Sequence, residues 1–287
     1  MGAPIFCRIK FVKWSVKCDF NGMSPRKHPP LKLEKSPLIF VLAQVRFPQL
    51  LSIKERIPAF QDALRKLGYL KLNQREVTQV KRDPQNNVVA RETFSQWEFI
   101  DKAGTHSILT DPRFINVNSS QYEVFERFAE RMEQVFHVMA ESVEPGLVER
   151  LGLRFVDLIV PSEGRNIADY VDPGLRGFQV DPEENREAFY METVTRTGED
   201  KRFLHRYTET RKGLGFPPDL ISSGLKLCRN PRMETTFGLL DMDHMLTREM
   251  DVEPQEMVEA FWDLHRHHED AFRRSVTKLA LEEWRQL

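Results

Sequence analysis

Between residues 74 and 119 the apolar side chains recur at every second position, and between Tyr122 and Met139 they recur at every third or fourth. That change of period constrains the fold most strongly: period two splits a strand into two faces, whereas helical period gathers apolar residues on one. The first stretch divides into runs at 76–81, 88–99, 105–109 and 114–117. Turn-forming residues separate them at Asp83-Pro-Gln-Asn-Asn87, Asp101-Lys-Ala-Gly104 and Asp111-Pro112. The expected product is a meander of about four strands. Across it should lie a helix carrying Phe125, Phe128, Met132, Val135, Phe136 and Met139 on one side.

Ahead of the meander, residues 38–47 read as a central strand stopped by Pro48. Ile53, Ile57, Phe60, Leu64 and Leu67 then follow helical spacing. Ser52 and Glu55 are spaced as a capping box, Pro58 kinks or delays the helix, and Gly68 sits at its stop. The plan returns after residue 148. Residues 151–160 mirror the first strand, with Arg154-Phe155 in the phase of Arg46-Phe47. A short helix at 166–178 is interrupted by Pro173 and Gly174, strands are expected at 188–197, 201–210, 220–228 and 234–242, and Pro254 opens a helix running toward Trp284. The predicted fold class is α+β, from duplicated β-α-β4-α units at 36–148 and 149–287, the antiparallel sheet covered by long helices. One continuous sheet is the simplest arrangement.

Composition removes several classes of function. Lys and Arg number 42 against 43 Asp and Glu, a formal net charge of −1, so no global field points to nucleic acid or to a cationic partner. The longest apolar run, from Leu38 to Ala43, is far shorter than the roughly 18 residues of a membrane-spanning helix. Cys7, Cys18 and Cys228 form neither a disulfide framework nor a CxxC metal pair, which fits a reducing, cytoplasmic setting. Residues 1–35 read as an N-terminal extension, disordered or from an upstream start site. Within it, Arg8, Lys10, Lys13 and Lys17 alternate with aromatic and aliphatic residues without a secretory core. The rival reading of that segment is a basic, aromatic stretch resting on an anionic membrane.

The strand from Ser36 to Phe47, the segment Glu149-Arg-Leu-Gly-Leu-Arg-Phe155, Leu240-Asp-Met-Asp-His244 and the Leu264-His265 helix together resemble a sporadically distributed family of uncharacterised bacterial proteins. The resemblance covers residues 30–287 and carries no assigned function, catalytic residue or cofactor. The family's patchy occurrence implies mobile or defence-linked genes. The β-α-β4-α order is separately similar to the half-repeat of the TATA-binding protein and to helix-grip folds, a likeness that does not decide function.

Three groups of residues bear on chemistry. Gln44 and Arg46 share a face of the first strand, and Arg154 and Asp157 lie on opposite faces of its mirror strand. A charge in a sheet face must be paired or look into a polar cleft, so these four are candidates for binding an anion, with an internal Arg–Asp bridge as the alternative. Arg202, Arg206, Tyr207, Arg211 and Lys212 interleave basic and aromatic character as nucleic-acid surfaces do, although a solvated hairpin gives the same pattern. Asp241, Asp243, His265 and His268 are metal-ligand types, but without an HExxH motif or a recognised spacing they do not favour a metal site. No GxSxG elbow, Walker loop or GxGxxG turn follows a strand, and Cys228 has no evident base. The expectation is a non-catalytic binding or regulatory protein without a cofactor, in a defence system or as a toxin-neutralising partner of another protein. A nucleic-acid module and a metal-dependent hydrolase are the alternatives.

Overall fold

The computed structural model describes residues 31–285 apart from 84, 179–185 and 221–223. The expectations for residues 1–30 lie outside the described residues. Among the described residues, an antiparallel sheet of nine strands and four helices confirm the α+β class.

The first half supplies β1 (Leu38–Arg46), α1 (Ile53–Lys66), β2 (Tyr69–Arg82), β3 (Val88–Asp101), β4 (His106–Asp111), β5 (Phe114–Ser119) and α2 (Phe125–Ser142). The second supplies β6 (Val148–Ile159), β7 (Ala188–Arg196), β8 (Lys201–Thr210), β9 (Gly213–Leu214), β10 (Arg232–Met233), β11 (Phe237–Met250), α3 (Pro254–Ser275) and α4 (Lys278–Arg285). The sheet order is β2-β3-β4-β5-β1-β6-β11-β8-β7, and β9 and β10 form a separate two-stranded ribbon. β1 and β6 pair antiparallel at the centre, with Val41 opposite Phe155 and Gln44 opposite Gly152.

Strand alternation sorts the side chains into two layers. Val41, Ala43, Val45, Leu151, Leu153, Phe155 and Met242 point toward the helices, where Phe60 of α1, Met132 and Phe136 of α2, and Phe261 and Leu264 of α3 close the main core. Burying each such aromatic or aliphatic side chain contributes about 1.5–3 kcal/mol. Phe40, Leu42, Val156, Leu158 and Leu239 point the other way and meet Phe216 and Leu225. That second, smaller core exists because the β8–β11 connection folds back over the open face of the sheet.

This covering connection explains one departure from the sequence reading. Residues 224–228, expected within a strand, are not in the sheet. Their backbone bonds go across the open face instead: Gly224 N donates to Glu98 Oε2 at 2.9 Å, Lys226 N donates to Gly104 O at 2.8 Å, and Lys226 O accepts from Ser120 Oγ at 2.6 Å. The expected helix at 166–178 is two short 3-10 turns, Ile167–Asp169 and Pro173–Leu175. Ser52 stands at the start of α1 but makes no capping bond, and Pro58 lies inside a helix that begins on time at Ile53. Gly68 does adopt a positive φ of 95° at its end. The last helix breaks at the extended Val276, which bridges to Val171, and Thr277 Oγ1 caps the start of α4 by accepting from Ala280 N at 3.1 Å. None of the helices among the described residues is long and apolar enough to cross a membrane.

Candidate functional site

A polar cleft lies on the open face, over the β1–β6 seam, with a volume of about 380 Å³. Its floor is formed by Gln44 and Gly152, which are direct cross-strand partners. A Cβ on Gly152 would lie 3.9 Å from both Gln44 Cβ and Asp243 Oδ1, so the missing side chain opens the floor between those residues. Asn116, Asn118 and Gln96 project from β5 and β3, Arg150 and Arg154 flank Gly152 on β6, and Asp243 comes from β11. Phe40, Leu42, Leu109 and Phe114 supply apolar wall, and Asp219 and Leu220 of the covering connection overhang it.

Arg154 is held in place by two carboxylates. Its Nε and Nη2 donate to Asp241 Oδ1 and Oδ2, each at 2.7 Å, while Nη1 and Nη2 donate to Asp219 Oδ2 at 2.5 Å and Oδ1 at 3.2 Å. Burial works to lower the Arg154 pKa, but the bonds and charges of Asp241 and Asp219 outweigh it and hold the cation above the usual arginine range. Arg206 is likewise engaged, by Glu192 at 2.6 Å and Asp241 at 3.3 Å. The internal ion-pair alternative for Arg154 is therefore the one the structure adopts.

Arg150 is different. Its Nη2 donates to Gln44 Oε1 and its Nη1 approaches Met245 Sδ at 3.5 Å, while its buried Nε has no partner. No carboxylate pairs with it among the described residues. Arg46, directly opposite on β1, adds a second positive charge on the same face. Burial first, and then the nearby charge of Arg46, lowers the Arg150 pKa against the opposing charge of Asp243. Gln44 passes the chain of bonds on, its Nε2 donating to Asn116 Oδ1 at 3.0 Å. Asn118 donates to Ser107 Oγ at 3.2 Å, and its buried Oδ1 is unpartnered. The cleft thus presents amide and guanidinium groups with spare hydrogen-bonding capacity and, among the described residues, a cation with no carboxylate in contact. Such a set can fix an anionic, hydrogen-bonding ligand.

Other candidates fall elsewhere. Asp157 does not join Gln44, Arg46 and Arg154: it faces the helices, only 3% exposed, and burial raises its pKa to about 8. Tyr207 is fully buried with its hydroxyl donating to Glu209 Oε2 at 3.2 Å, so it offers no face for stacking a base. Alternation along β8 turns it inward, while Arg202 is exposed on the opposite face and Arg211 and Lys212 are exposed just beyond the strand. Arg206 lines the cleft rather than a strand surface. The sheet separates Asp241 and Asp243, on the open face, from His265 and His268 on α3. His265 stacks on Phe125 with ring centroids 3.9 Å apart, and His268 Nε2 donates to Leu153 O at 2.8 Å. No group of three or more His, Cys, Asp or Glu residues is placed to hold a metal ion among the described residues.

Arg150, Gly152, Asn116 and Asn118 are the site residues that sequence reasoning missed. The signal was present in Arg150-Leu-Gly152-Leu-Arg154, where a mid-strand glycine sits between two arginines of the same phase. Compared with models of known protein families, the chain matches none, and comparison with curated proteins finds no match either.

Proposed function

We propose that the protein is a non-catalytic binding protein whose open-face cleft takes a small anion-bearing ligand. The observation that carries this reading is Arg150: a half-buried guanidinium lining the cleft, with an unpartnered Nε, no carboxylate partner and a second arginine directly opposite. Like charges across a strand pair are unfavourable, and an anion between or beside them relieves that cost. The surrounding Gln44, Asn116 and Asn118 favour binding over proton-transfer chemistry, because amides donate and accept hydrogen bonds without changing protonation. A regulatory role would follow from ligand contacts to Asp219 and Leu220, which belong to the covering connection.

The test is thermal unfolding of the protein across a series of carboxylates and of inorganic phosphate, with Gly152→Leu as comparison. Stabilisation by an anion that the Gly152→Leu protein does not show is the expected result. Equal stabilisation of both proteins would place the anion elsewhere and refute the reading.

We further propose that the two halves are duplicated units of helix-grip type, related about the centre of the sheet. Support comes from the order of pairing: β1 pairs with the last strand of its own half, β5, and β6 with the last of its half, β11. Aligning Arg46-Phe47 with Arg154-Phe155 makes Gln44 the counterpart of Gly152, its own cross-strand partner. The relating axis would then run through the floor of the cleft. Separate expression of residues 31–148 tests the autonomy of the first unit, and a cooperatively folded fragment is the expected outcome.

A further inference from the structure

We infer that the ligand of this cleft is a zwitterion of amino-acid or dipeptide size, its anionic group against Arg150 and its ammonium group against Asp243. The inference rests on the anion-cleft reading above and adds the second pole.

Asp243 is opposite Arg154 in the β11–β6 register, yet it forms no ion pair with it. The reason is competition, since Asp241 and Asp219 already take the guanidinium on both edges. No hydrogen bond reaches the Asp243 carboxylate among the described residues, although it is half-buried and lines the cleft. Burial raises its pKa and outweighs the nearby charges of Arg154 and Arg150, neither of which is in contact with it. A bound ammonium group would supply that contact.

Three other arginines line the cleft: Arg75 donates to Gln96 Oε1 at 2.7 Å, and the other two sit in ion pairs. Arg154 is matched by Asp241 and Asp219, and Arg206 by Glu192. Arg150 and Asp243 remain as opposite charges in no ion-pair contact among the described residues, on either side of Gly152, whose bare backbone leaves the space between them open. Two residues of strand separate Arg150 from Gly152, roughly 7 Å, and Asp243 leans toward Gly152 from the other side. That spacing favours a ligand whose charges are several bonds apart over one with adjacent charges. The unpartnered Asn118 Oδ1 is an acceptor for a further N–H of the ligand, such as a peptide amide.

Calorimetric titration with glycine, γ-aminobutyrate, ε-aminohexanoate and glycylglycine, and with butyrate, hexanoate and hexylamine as single-charge controls, tests the assignment. The expected order places ε-aminohexanoate or glycylglycine above hexanoate and hexylamine by roughly ten- to a hundredfold, the effect of a hydrogen bond to a charged group. Asp243→Asn should bring the affinity for ε-aminohexanoate down to that for hexanoate and leave hexanoate unchanged; Arg150→Gln should weaken both. Hexanoate binding as tightly as ε-aminohexanoate to the unaltered protein, or no effect of Asp243→Asn, would overturn the zwitterion assignment and leave the anion cleft standing. Failure of every carboxylate and of inorganic phosphate to bind would overturn both. The ligand comparison on unaltered protein does not depend on any variant folding.

Discussion

The Arg154 guanidinium grips the Asp241 carboxylate along one edge, Nε to Oδ1 and Nη2 to Oδ2 at 2.7 Å each, across the β6–β11 pair. Both side chains are buried, Asp241 at 5% exposure and Arg154 at 8%, so the pair is poorly screened by water. Asp241→Asn removes the charge that makes burial of Arg154 tolerable, and it should destabilise the fold by about 3–5 kcal/mol. Asp219, whose side chain is 63% exposed, contributes a solvent-screened bond, and Asp219→Asn should cost under about 1 kcal/mol. Urea unfolding of the two variants checks the contrast.

Histidines beneath α3 give a dependence on acid. His244 Nδ1 donates to Leu264 O at 3.1 Å and its Nε2 meets Thr197 Oγ1 at 2.7 Å, an arrangement suited to the neutral ring. Burial pushes the His244 pKa down to about 4, and burial together with His244 holds His268 well below the usual value. Both pKa values are lower folded than unfolded, so their full contribution is present above about pH 6.5 and declines as pH falls toward about 4. His244→Gln and His268→Gln should each flatten that decline relative to the unaltered protein, as read from urea midpoints measured over this range.

Asp157 acts with the opposite sign. Its buried carboxyl is raised to about 8, so the neutral form suits the fold and the ionised form opposes it. Stability from this group is complete below the usual carboxylate range and is lost as pH rises through about 8. Asp157→Asn should therefore stabilise the protein by roughly 2–5 kcal/mol near pH 8 and change it little near pH 4. A difference in unfolding free energy that does not grow with pH would contradict the assignment.

Gly238 is needed because Tyr207 lies over it. A Cβ there would come within 2.9 Å of Tyr207 Cε2 and 3.1 Å of Ile167 Cδ1. Tyr207 is itself fixed by its bond to Glu209, which also accepts from Arg176 Nε at 3.1 Å. Gly238→Ala should cost about 1–3 kcal/mol through overpacking, visible as a lowered melting temperature.

Much of the fold is legible in the sequence because the period of the apolar residues is a direct record of burial. β8 starts and ends where alternation predicts, at Lys201 and Thr210, and Pro254 opens α3 as its fixed φ suggests. Alternation misplaces residues 224–228 because Leu225 and Leu227 pack onto the open face without pairing edge to edge. Apolar spacing reports that contact but not where the backbone bonds go. The site was half legible. Gln44, Arg46 and Arg154 have the phase of one sheet face; the register sets Gln44 diagonal to Arg154 in the cleft, while Arg46 stands opposite Arg150. The charge state of the cleft depends on which carboxylates reach Arg154, and Asp219 does so from 65 residues away through the folded-back connection.

Arg150, rather than Arg154, is the group proposed to take the anion. Proton–nitrogen correlation spectroscopy of the arginine Nε–H groups, with Arg150 assigned from Arg150→Gln, tests this during titration with hexanoate and then with inorganic phosphate. The expected result is a saturable shift of the Arg150 signal with at least one of these anions while the Arg154 signal, already locked on Asp241, stays in place. No shift at Arg150 with either anion, or equal drift of all arginine signals, would contradict it.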